Sequence, residues 1–247
     1  MENKEETIYF GLVDRIRVEG KTYKEFTLNY LQAIKETYKD LPDDKRLQAY
    51  IEYFVNNFSY DKEERDKRRK NNQEPETKEF KEKKLFELFY TNKGVCEQFS
   101  VGLSLLCKMD EEINKYYKIY YANCKIESKL GEDNHGLNLL AKNSKDILII
   151  DLSAMIHCKE KDNVGEIWDY GVVSIENYNQ NQKRNNFKLI PNADDGSINL
   201  LIYRRDTTNN VEDYYELLTQ PAEVLNTTMR DQWVIRDITE NCKEKTV

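Results

Sequence analysis

The spacing of apolar residues changes part-way along this chain, and that change most constrains the fold. Up to about residue 110 apolar side chains recur every three or four positions, the period of a helix with one buried face. Leu47, Tyr50, Ile51, Phe54 and Val55 form one such stripe, and Leu85, Phe86, Leu88, Phe89 and Tyr90 a second. Phe99, Leu103 and Leu106 form a third. From residue 116 the pattern becomes short runs rich in aromatic and β-branched residues, which is how strands read. Runs at 116–126, 135–141, 146–152, 171–175, 187–190, 198–203 and 233–238 predict strands, with one more helix over 211–218. Helices first and an antiparallel set of strands after predict an α+β fold.

Local signals refine this reading. Residues 7–18 fit a strand or a short helix, and 22–39 become helical in their later part. Pro42 followed by Asp43 and Asp44 marks a helix start. The stripe at 85–90 is stopped by Thr91-Asn92-Lys93-Gly94. Segment 61–84 interleaves ten basic and eight acidic side chains, which predicts a solvated helix or mobile loop. It directly precedes residue 96, so it also reads as an insertion overhanging that region. Its basic knot, Lys67-Arg68-Arg69-Lys70, is a lesser candidate for an acidic partner. The expected organisation is an N-terminal extension over 1–40, a core over 41–205 carrying the 61–84 insertion, and a C-terminal extension over 206–247 packed on the core.

Composition narrows the function classes. Seventeen tyrosines and nine phenylalanines supply core area that a disordered chain lacks. A net charge of −7 argues against a general nucleic-acid binder, which needs a basic face. No run approaches the roughly 20 apolar residues of a membrane span. The start, Met1-Glu2-Asn3-Lys4-Glu5-Glu6, is too charged for a secretory signal peptide. Five cysteines, at 96, 107, 124, 158 and 242, form no C-x-x-C pair, and only two histidines accompany them. The expectation is a cytoplasmic protein with free thiols, no metal and no cofactor.

Against this background three residues stand out. Gly94-Val95-Cys96 is a small turn that delivers a cysteine to the first turn of an apolar helix. Unpaired N–H groups at a helix N-terminus favour a thiolate and can hold an oxyanion on an attacked carbonyl. His135 opens an apolar strand and is a plausible general base. Asp151 ends another, in Ile149-Ile150-Asp151-Leu152-Ser153. Two strands joined by a short turn would bring Asp151 level with His135, where a carboxylate can fix the imidazole tautomer. Each residue also has a plainer reading: a buried thiol, a satisfied histidine, a strand-end cap. Cys107 and Cys124 read as small buried hydrophobes, and His157-Cys158 as a loop pair without mechanistic weight.

Taken in order, these segments resemble the transglutaminase-like cysteine enzyme superfamily. Its core opens a helix with Gly-Val-Cys-x-x-(aromatic)-(small), here Gly94-Val95-Cys96-Glu97-Gln98-Phe99-Ser100. A histidine strand follows, here His135-Gly136-Leu137-Asn138, and then an aspartate strand, here Asp151-Leu152-Ser153. The helix ending in Asn57-Phe58-Ser59-Tyr60-Asp61 is similar to a lead-in of that family. The resemblance covers about residues 40–155, and Leu137 stands where many members carry tryptophan. It implies a papain-like fold with the nucleophile helix packed on an antiparallel sheet. It implies a Cys96-His135-Asp151 triad that forms a thioester acyl-enzyme, with the Cys96 N–H as one oxyanion donor. Asn92, Gly94, Glu97 and Gly136 are weaker candidates for oxyanion and substrate contacts. The implied activity is amide hydrolysis, first of a peptide or isopeptide bond, with a protein or peptide as substrate. Glutamine–amine acyl transfer is the second choice, and a silent protein-binding module on the same fold is the rival. No D-x-D-x-D-G run marks a calcium site.

Overall fold

The computed structural model describes residues 21–70, 77–128, 131–141, 147–174, 177–178, 188–189, 198–203, 210–220 and 230–235. The reading of residues 7–18 lies outside them, as does Cys242. The described chain mixes helices with an antiparallel sheet, an α+β arrangement. No helix among the described residues is long and apolar enough to cross a membrane.

Helices lead. Helix α1 spans Tyr23–Tyr38, and Thr22 and Glu25 cap its start reciprocally. Helix α2 is Asp43–Asn57, entered through Pro42. A two-residue strand β1, Ser59–Tyr60, follows, then the charged helix α3, Lys62–Lys70. Helix α4, Lys78–Thr91, starts on a Thr77 cap and ends at Asn92, whose left-handed φ of 60° breaks it. Strand β2, Lys93–Gly94, leads into α5, Cys96–Met109. Helix α6, Glu111–Tyr116, completes the set. Its Asp110 cap also takes Arg46 at 2.9 Å and the Tyr50 hydroxyl at 2.7 Å, a buried polar knot joining α2 to the end of α5.

Strands follow. β3 (Lys118–Ser128), β4 (Gly131–Ala141), β5 (Ile147–Ile150), β6 (Val173–Ser174), β8 (Ile198–Tyr203) and β9 (Arg230–Ile235) form one sheet in the order β6-β5-β4-β3-β8-β9. β7 (Lys188–Leu189) also pairs with β3. Every pairing is antiparallel. Between β5 and β6 lie helix α7, Leu152–Glu160, and a 3₁₀ turn, Val164–Tyr170. Helix α8, Val211–Leu218, lies between β8 and β9.

The centre of the molecule is α5. All ten residues from Gln98 to Cys107 are buried, as expected for a helix apolar on every side. It packs on β3 and β4 on one side and on α1, α2 and α4 on the other. Phe54, Phe58, Phe89 and Phe99 cluster behind its first turns, Phe54 stacked on Phe58 and the other pairs edge-to-face. Each such buried ring contributes about 1.5–3 kcal/mol through apolar area removed from water. One core runs from Phe26, Tyr30, Leu31 and Ile34 of α1 to Tyr214 and Tyr215 of α8.

Two expectations are corrected. The strand predicted over 146–152 stops at Ile150, because the Asp151 side chain accepts the Ala154 N–H and starts α7. His157 and Cys158 therefore sit in a helix, not a loop. The charged segment contributes α3 and the first half of α4; residues 71–76 lie outside the described residues.

Candidate active site

Cys96 occupies the first position of α5, and three devices hold it there. First, β1 and β2 pair in parallel, Ser59 with Lys93 and Tyr60 with Gly94. The Asp61 N–H donates to the Gly94 carbonyl at 2.8 Å, so the exit of α2 pins the turn before the cysteine. Second, Gly94 is buried where a Cβ would lie 2.7 Å from Leu88 Cδ1. Third, Gln98 reaches back, accepting the Val95 N–H at 2.8 Å and donating to the Lys84 carbonyl at 2.5 Å. Val95 stands at the cap position with no side-chain acceptor to offer. The N–H groups opening α5 are thus left uncapped by any side chain, as an oxyanion site requires.

Strand β4 brings His135 to this helix end. Gly136 makes the approach close: a Cβ there would meet Glu97 Cα at 3.0 Å and Glu97 N at 3.1 Å. Two residues along the strand, Asn138 donates to the Ser100 carbonyl and to Ser104 Oγ, each at 2.8 Å, fastening β4 to α5. On the other side β5 pairs with β4 in the register Asn138 to Ile150. The next residue, Asp151, thereby follows toward the stretch of β4 that carries His135, three positions before Asn138.

The geometry is a relay. His135 Nε2 and Asp151 Oδ2 are 2.7 Å apart, and both residues are buried. The Cys96 side chain hydrogen-bonds the same imidazole. With Nε2 committed to Asp151, Nδ1 is the ring nitrogen that remains for sulfur. Burial opposes an imidazolium, but the Asp151 charge and hydrogen bond, with Cys96 adding to them, hold His135 well above the ordinary histidine range. Burial also opposes the Asp151 carboxylate. His135, the Tyr178 hydroxyl and the Ala154 N–H outweigh it and bring Asp151 down to about 2. Burial pushes the thiols of Cys107, Cys124 and Cys158 up, Cys158 to about 11.

The weaker candidates take other places. Asn92 ends α4 and gives its carbonyl to the Ser59 N–H at 3.0 Å. Gly94 serves close packing, and Gly136 serves the contact between β4 and α5. Glu97 turns its carboxylate away from Cys96, to Arg68 Nη1 at 2.8 Å and Lys81 Nζ at 3.1 Å. Arg68 and Lys84 also hold Glu64, each at 3.0 Å, and Lys84 holds Glu87 at 3.0 Å. The basic knot is therefore partly spent inside the protein.

Two features escaped sequence reasoning. Tyr178, buried and 27 residues beyond Asp151, donates its hydroxyl to Asp151 Oδ2 at 2.6 Å. Nothing in its local sequence marks that contact. Ser153 donates to Asp151 Oδ1 at 2.7 Å, and here the Asp-Leu-Ser run carried the signal. The chain matches no family model, no curated protein and no solved structure.

Proposed function

We propose that this chain is a cysteine-dependent amide hydrolase or acyltransferase of the transglutaminase-like, papain-fold kind. The observation that carries the reading is the alignment of Cys96, His135 and Asp151, assembled from a helix N-terminus, strand β4 and the β5–α7 junction. Cys96 sulfur, having passed its proton to His135, attacks the carbonyl carbon of an amide. The carbonyl electrons move to oxygen, where the Cys96 backbone N–H offers a hydrogen bond. Collapse of the tetrahedral adduct breaks the C–N bond, and the His135 imidazolium gives its proton to the departing amine. A thioester on Cys96 remains. Water, deprotonated by His135, then attacks the thioester, releases the acid and restores the thiol. Asp151 stays ionised throughout, holding the imidazole in one tautomer and stabilising its protonated form.

A peptide or isopeptide bond is the first-choice substrate; an amine in place of water would make the chemistry acyl transfer. The test uses p-nitrophenyl acetate as acyl donor. A burst of p-nitrophenol with an acetyl group on Cys96 in the intact mass is the expected result. Adding glycine ethyl ester then divides hydrolase from transferase by the product formed. Release of p-nitrophenol at the same rate from Cys96→Ala would overturn the reading.

A further inference from the structure

We propose that Tyr178 is a positioning residue that sets the basicity of His135 through the Asp151 carboxylate; this rests on the triad reading and deepens it. The carboxylate is divided between two tasks. Oδ1 accepts from Ser153 Oγ at 2.7 Å and from the Ala154 N–H at 3.0 Å, which fixes it as the cap of α7. Oδ2 accepts from two donors at once, His135 Nε2 at 2.7 Å and Tyr178 Oη at 2.6 Å. The phenol and the imidazole therefore compete for the charge of one oxygen.

The surroundings fit that role. Tyr178 is fully buried, and its ring stands edge-on to Tyr170 at 6.3 Å and 88°. The Tyr170 carbonyl in turn accepts the Asp151 N–H at 2.9 Å. The segment after α7 thus grips Asp151 by backbone and by side chain. The titratable groups facing His135 come from three further elements: Asp151 from the β5–α7 junction, Cys96 from α5, and Cys124 from β3, whose thiol reaches the His135 carbonyl at 3.4 Å. Burial pushes the Cys124 thiol well up, so it stays protonated.

A hydroxyl donating to Oδ2 withdraws charge that would otherwise stabilise the imidazolium. Its removal leaves that charge to His135 alone. Tyr178→Phe keeps the ring and its packing and deletes only the donor. The chain has two histidines, so an imidazole NMR titration is readable, with His157 as internal reference. The His135 midpoint in Tyr178→Phe should rise by about half a pH unit or more, with His157 unmoved. Site-specific 3,5-difluorotyrosine at 178, a stronger donor, should lower it. The difluoro protein keeps the hydroxyl and serves alone if the phenylalanine variant does not fold. A His135 midpoint unmoved by either change, or moved in the reverse order, overturns the proposal. The titration needs no substrate. An unmoved midpoint beside a fast-acylating Cys96 therefore removes Tyr178 and leaves the triad. A Cys96 that never acylates, beside a midpoint that moves as expected, removes the enzyme reading and leaves the coupling.

Discussion

Cys96 and Glu97 are neighbours on the first turn of α5, yet their side chains enter two polar clusters of opposite construction. Around Glu97, three carboxylates (Glu64, Glu87, Glu97) meet three cations (Arg68, Lys81, Lys84), and the fixed charges compensate each other at rest. Around Cys96, sulfur, imidazole and carboxylate stand in line, and one proton can pass between sulfur and imidazole while the carboxylate stays ionised. The Glu97 carboxylate, flanked by Lys81 and Arg68, sits at about 2, so it stays charged across the neutral range. A cluster of compensated fixed charges can only hold. The contrast gives Glu97 a structural part and leaves the chemistry, on the proposed reading, to Cys96.

The largest expected effect lies on the Cys96 side. His135→Ala should lower acylation by p-nitrophenyl acetate about 10⁴-fold, because thiol and imidazole act as a unit. Asp151→Asn should cost roughly 10³-fold in the same assay by releasing the ring orientation. It should also destabilise the fold by about 1 kcal/mol in urea melts, since an amide caps α7 less well where Ser153 and Tyr178 both donate.

An intermediate effect is expected where the two clusters meet. Gly136→Ala sets a methyl against Glu97 backbone, which has no flexible end to move aside. It should cost about 1–3 kcal/mol in stability by overpacking. Acylation should fall by roughly ten- to a hundredfold as His135 is pushed from α5.

The smallest effect on chemistry belongs to Glu97→Gln. Acylation should change less than about threefold, while stability falls by about 2 kcal/mol because Lys81, only 8% exposed, loses the charge of Glu97. Its pH signature is distinct. Glu97 and Asp151 sit at about 2 when folded, below their ordinary values of 4.5 and 3.8. The stability they contribute is complete above those ordinary values and is lost as pH falls toward 2. Glu97→Gln should flatten the acid limb of a urea-midpoint profile and leave the shape of its neutral region unchanged. An unchanged acid limb would show that the ion cluster adds nothing to folding. His135 has the opposite sign: its raised value contributes stability at low pH that is lost as pH rises through the folded value.

What was legible in the sequence follows from the range of each interaction. The start of α5 is written locally, in a small turn followed by an apolar run, so Cys96 at a helix N-terminus could be read directly. The β4–β5 pairing is also local, and it carries Asp151 to His135 without further information. Helix α7 was harder to see because Leu152 and Ile156 prolong the apolar run of β5, and only the Asp151 cap marks the switch. The links of Glu97 to residues 16 and 29 positions earlier leave no local trace, because any lysine or arginine in a charged run looks alike until the chain folds. The Tyr178 bond is silent for the same reason: nothing local tells this tyrosine from the other 16, and only the path of the chain brings its hydroxyl to Asp151.

The central claim is that His135 activates Cys96. It is tested most directly by alkylation with iodoacetamide at pH 6, with each cysteine quantified by mass spectrometry and glutathione as a free-thiol reference. Cys96 should react at least tenfold faster than glutathione, and His135→Ala should bring it down to the glutathione rate or below. A Cys96 no faster than glutathione, or one whose rate is untouched by His135→Ala in a folded protein, would contradict the claim.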